Sequence, residues 1–123
     1  MTTELYTSTV TSIGADAPGM FEAGVIILFG EPVPPALADV SVVHAHTGEL
    51  ARDIEPGDVI TIGPAQYRVE QIGDQASGNM RELGHLVLYV DAGEQKLLPG
   101  AVHVTGPAPA PQTGSRITVR ADG

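Results

Sequence analysis

Residues 56–72 read PGDVITIGPAQYRVEQI, two short β-rich runs set off by turn residues. Pro56-Gly57 is a turn signal ahead of the run 58–62, and Gly63-Pro64 divides it from the run 67–72. The same punctuation extends outward in both directions. Runs at 5–13, 25–29, 40–46, 85–90, 101–105 and 116–120 lie between turns drawn from 15 glycines and 10 prolines. In 116–120, Ile117 and Val119 share one face while Arg116, Thr118 and Arg120 share the other. Leu86-Val87-Leu88-Tyr89-Val90 is apolar on both faces and predicts a central strand. The only helices predicted are short, at 35–39 and at 79–83 ending on Gly84. No internal repeat is convincing. Residues 106–113 (GPAPAPQT) read as an extended, semi-rigid connector. Many short strands at close spacing predict an all-β, single-domain fold over 1–123, a barrel or sandwich with Gly/Pro-rich turns. An exposed edge strand, if the sheet has one, would offer a route to self-pairing.

Composition sets the function classes. The chain of 123 residues carries six Lys+Arg against 15 Asp+Glu, a formal charge of -9. So few cations cannot neutralise a nucleic-acid backbone or an anionic lipid surface. The acidity keeps the chain soluble and favours encounter with a basic protein. The longest apolar run, 25–29, is far too short to span a bilayer, and MTTELYTSTV has no secretory pattern, so neither membrane insertion nor export is expected. The absence of cysteine removes disulfides, thiolate catalysis and cysteine zinc sites, and fits a reducing cytoplasm.

Chemistry then rests on four histidines: His44, His46, His85 and His103. His44-Ala45-His46 closes the apolar run 40–43, so on a strand the two rings face one side, about 7 Å apart. On spacing alone three readings stand. The rings are ordinary structural or surface histidines; or they bind a metal with His85 or His103 as third ligand; or one is a nucleophile. A neutral imidazole has a free lone pair that can attack phosphorus and hold the phosphoryl group. His85 and His103 each read as structural histidines or supporting groups. Arg81, one of few cations, is a candidate for a phosphoryl oxygen, and Glu49 for orienting an imidazole. No nucleotide-binding loop and no nucleophile elbow appear.

The segments YTSTVTSIG (6–14), VVHAHTGEL (42–50), PGDVITIG (56–63), NMRELGH (79–85) and LPGAVHVTGP (98–107), in this order and spacing, carry a resemblance. The chain resembles the glucitol/sorbitol-specific enzyme IIA family of the bacterial phosphoenolpyruvate-dependent sugar phosphotransferase system. The resemblance implies a β-barrel-like phosphoryl carrier without a cofactor. It implies that HPr donates a phosphoryl group to a histidine, that IIB accepts it, and that membrane-embedded IIC moves the sugar. The family's acceptor is the first histidine of the His-x-His motif, here His44, with His46 as its neighbour for tautomer control or phosphoryl contact. His85, His103 and Arg81 fall in matching segments as possible supporting groups. Lacking cysteine, the chain is not the thiol-phosphorylated IIB. One departure stands out: Thr47 separates His46 from Gly48-Glu49-Leu50, an extra residue that bears on the aim of His46 and of the loop amides. Because two proteins must reach the acceptor in turn, a solvent-accessible, uncharged imidazole is expected. The alternatives left open are a small metal-binding barrel using His44 and His46, and a regulatory or binding module without transfer.

Overall fold

Alternating residues give most strands one face to bury, and those faces meet in a single core. Ile60 and Ile62, Tyr67 and Val69, Leu86 and Leu88, Val102 and Val104, and Ile117 and Val119 all belong to it. The computed structural model describes residues 2–46 and 48–122. In chain order the elements are β1 (Thr2–Ile13), α1 (Ala17–Glu22), β2 (Val25–Gly30), α2 (Pro35–Ala38) and β3 (Val42–His46). They continue with β4 (Val59–Ile62), β5 (Ala65–Ile72), α3 (Ala76–Leu83), β6 (Leu86–Val90), β7 (Ala101–Thr105) and β8 (Arg116–Asp122). The strands close into a barrel in the order β1-β3-β2-β6-β7-β5-β4-β8. The fold is thus all-β and a barrel rather than a sandwich, with no edge strand among the described residues. Each of the eight predicted runs contains a strand, and both predicted helices form; α1, begun at Ala17-Pro18, was not foreseen.

The barrel contains an internal repeat, which corrects the reading of the sequence. β1 pairs with β3 through Val10↔His44 and Ile13↔Val42, with a bulge between Val10 and Ser12. β5 pairs with β7 through Val69↔Val104 and Ile72↔Val102, with a bulge between Val69 and Gln71. The parallel pairs match as well, Gly30↔His44 in one half and Val90↔Val104 in the other. Gly14 and Gly73 play one role: a Cβ on either would fall 2.2–2.3 Å from backbone atoms of Ala38 and Asp39, or of Leu98 and Pro99. β8 flanks β1 as β4 flanks β5, through Ser8↔Ile117 and Ile60↔Tyr67. The two halves, β8-β1-β2-β3 and β4-β5-β6-β7, are therefore related by an approximate two-fold axis. In this correspondence His44 matches Val104, Ser8 matches Tyr67, and Tyr6 matches Ala65.

The two ends of the barrel differ. One is plugged by α3, whose Ala76, Ser77 and Met80 are buried, and Ser77 Oγ accepts the Ile54 N–H at 2.9 Å. The other opens into a cavity of about 330 Å³ lined by Ile26, Ile62, Tyr67, Pro107 and their neighbours, beside the 106–113 connector. The C-terminal end of β3 lies at the plugged end.

Candidate active site

β3 alternates Val42, His44 and His46 on its inner face. Val42 packs in the core, His44 is 0% exposed, and only His46, at the strand end, is exposed. The expectation of a solvent-accessible His44 is therefore corrected. The strand carries the ring one residue pair too deep, and the turn from α3 into β6 lies over it. That turn needs glycine. Gly84 ends α3 at φ 66°, and a Cβ there would sit 2.8 Å from Gly30 Cα and 3.1 Å from His44 Cε1.

Both nitrogens of His44 are engaged. Nε2 lies 2.7 Å from the Gly84 carbonyl oxygen, and Nδ1 lies 2.6 Å from Ser8 Oγ on β1. A carbonyl only accepts, so Nε2 carries the hydrogen and Nδ1 accepts from the Ser8 hydroxyl. Burial pushes the His44 pKa down; the Gly84 carbonyl pulls it partly back, His46 lowers it further and Glu31 raises it. The ring is neutral at pH 7, as a nucleophilic imidazole requires.

Tyr6 lies between the two histidines, its ring centroid 6.2 Å from that of His44 and 5.7 Å from that of His46. Burial pushes its phenol up to about 12, offset in part by the nearby Ser8 hydroxyl. Even so, Tyr6 Oη makes no hydrogen bond of ordinary geometry among the described residues. His46 Nδ1 donates to the Gly48 carbonyl at 2.8 Å, and its Nε2 has no hydrogen-bond partner among the described residues. Thr47, the extra residue between them, lies outside the described residues.

The remaining candidates do not converge on this pair. His85 Nδ1 donates to the Leu28 carbonyl at 3.1 Å and its ring lies 4.7 Å from Phe29. His103 alternates with core residues Val102 and Val104, so it faces out of the barrel wall. There it meets Tyr89 edge-on at 5.8 Å, and its buried Nε2 has no partner among the described residues. Arg81 pairs with Asp53 at 2.8 Å rather than with a histidine. Glu49 is exposed. No group of three or more His, Asp or Glu that could hold a metal forms among the described residues, so the third ligand that the metal reading needs is not brought in. Ser8, Tyr6 and Gly84 complete the site and were not singled out in the sequence. The only signal for Gly84 was its place as a helix stop.

Comparison with known proteins settles the family. The profile of the "PTS system glucitol/sorbitol-specific IIA component" family matches residues 5–118. The chain belongs to this family. The glucitol/sorbitol-specific EIIA components of Shigella flexneri and Escherichia coli (strain K12) are each 38% identical over 107 residues, covering 87% of this chain and 86% of theirs. The crystal structure of a PTS system IIA component from Enterococcus faecalis V583 superposes with a TM-score of 0.77 at 27% identity. It covers 90% of this chain and 96% of that one. This IIA component is a phosphoryl carrier of the sugar phosphotransferase system and works with other components of that system. The metal-binding and transfer-free alternatives are not favoured. No helix of the described residues is long and apolar enough to cross a membrane.

Proposed function

We propose that His44 is the phosphoryl acceptor, that phospho-HPr is the donor and that a IIB component is the recipient. Residues 1–123 act as one cytoplasmic IIA domain serving a glucitol/sorbitol-type IIC permease. The observation that carries the assignment is the frame around His44: a neutral imidazole whose two nitrogens each have a defined partner, on the strand that ends at His46. Nε2 is the reacting atom in this reading. Nδ1 is shut in against the neighbouring strand by Ser8, whereas Nε2 is covered only by a turn. Transfer requires the Gly84 carbonyl to withdraw when a partner docks, and the exposed Leu83 beside it gives the partner an apolar hold. The donor's bond to phosphorus breaks as Nε2–P forms, and the electron pair of the broken bond returns to the donor. The second transfer runs the same chemistry toward IIB.

A second reading is favoured by one observation: His46, not His44, is exposed, and its Nε2 has no hydrogen-bond partner among the described residues. Incubation with phosphoenolpyruvate, enzyme I and HPr separates the two. On the first reading His44→Ala abolishes the added phosphoryl mass and His46→Ala only slows its appearance. Labelling that survives His44→Ala and vanishes in His46→Ala moves the site.

A further inference from the structure

The barrel supplies its own control for the polar groups around His44. At the equivalent place in the other half, Val104 stands for His44, Tyr67 for Ser8 and Ala65 for Tyr6, and Val104 and Tyr67 are buried there, at 1% exposure each. The fold does not need a buried serine beside a buried imidazole, yet Ser8 is 0% exposed and bonded to Nδ1 at 2.6 Å. Beyond it, the Tyr6 hydroxyl is buried and has a lone pair to offer. A buried, unpartnered hydroxyl costs stability unless another state of the site uses it.

We propose that Ser8 is a positioning residue that changes from donor to acceptor as His44 changes tautomer, with Tyr6 Oη taking the displaced serine hydrogen. The inference rests on His44 Nε2 being the phosphoryl acceptor. With Nε2 on the Gly84 carbonyl, Nε2 holds the proton and cannot attack. Attack requires the other neutral tautomer, with hydrogen on Nδ1 and a lone pair on Nε2. When the Gly84 turn opens, admitted water takes the Nε2 proton, and the Ser8 hydroxyl passes its hydrogen to Nδ1 and regains one from that water, so the tautomer changes with no net gain or loss of protons. Nδ1–H then donates to Ser8 Oγ, and the Ser8 hydroxyl turns its own hydrogen to Tyr6 Oη. Nδ1–H, the Ser8 hydroxyl and a Tyr6 lone pair are then all engaged, and the imidazole plane is held while phosphorus bonds to Nε2. The same arrangement, with hydrogen on Nδ1, holds the ring in the phosphorylated state until IIB takes the group.

The test uses the full chain and phospho-HPr, with Ser8→Ala, Ser8→Thr and Tyr6→Phe. Single-turnover transfer should slow about tenfold or more in Ser8→Ala, stay within about threefold of wild type in Ser8→Thr, and fall between in Tyr6→Phe. A structural role alone would not move the second readout, ¹⁵N NMR of the phosphorylated protein. There, a slowly exchanging Nδ1–H on phospho-His44 should be present in wild type and Ser8→Thr and lost in Ser8→Ala. Wild-type rates in a folded Ser8→Ala, or an unprotonated Nδ1 in the wild-type phosphoprotein, would overturn the proposal. Should Ser8→Ala not fold, Tyr6→Phe, which keeps the ring and removes only the hydroxyl, decides by rate: wild-type speed overturns the relay. Labelling confined to His46 would instead overturn the site assignment, which the His44→Ala control reads separately.

Discussion

His44 determines how the site behaves with pH. Its folded pKa lies below the ordinary value of about 6.5 because burial disfavours the charged ring. Above about pH 6.5 the ring is neutral whether folded or unfolded and adds no pH dependence. Below that, the unfolded chain takes up the proton first, so stability falls with pH until the folded pKa is reached. His44→Gln, which cannot be protonated, should therefore lose less stability than wild type between pH 7.5 and 5.5, as read from urea midpoints. An equal loss in both proteins would mean that the ring is not held neutral. A second expectation belongs to Gly84: its φ of 66° and the 2.8 Å approach to Gly30 Cα leave no room for a methyl group. Gly84→Ala should cost about 1–3 kcal/mol in thermal or urea unfolding and slow transfer by displacing the carbonyl over Nε2.

At the level of elements, the strands could be read because turn residues frame them and core residues alternate within them. α1 could not: six residues opened by Ala17-Pro18 are too few to show a helical period. Nor could the depth of His44 be read. A histidine two residues from a turn looks like a strand-end group, and only the α3–β6 turn, arriving from forty residues on, covers it. Ser8 was equally hidden: in TSTVTSI both faces of β1 carry hydroxyls, so nothing marks the one that faces inward. α3 has a testable role as the plug of this end. Met80 is 1% exposed in the core, so Met80→Ala should cost about 2–5 kcal/mol by leaving a cavity. It should also raise hydrogen exchange across 76–86 if that turn is the part that opens.

For the whole molecule, the repeat explains why a barrel with a polar histidine frame at one end has a second, apolar end. The two halves share an Ile-Gly-x-x-Ala opening, at Ile13 and Ile72, but the strand completing the first half is β8, at the far end of the chain. A scan for tandem similarity passes over such an arrangement. The charge of -9 acts at this scale too. If HPr docks through a basic face, the association rate should fall severalfold between about 10 and 150 mM salt, as stopped-flow mixing would read; a salt-independent rate would remove electrostatic steering from the account. The identity of the acceptor is tested most directly by locating the phosphoryl group. Protein phosphorylated through HPr, kept alkaline and fragmented in the mass spectrometer, should carry the group on His44. A group found on His46, or no phosphoryl adduct at all, would contradict it.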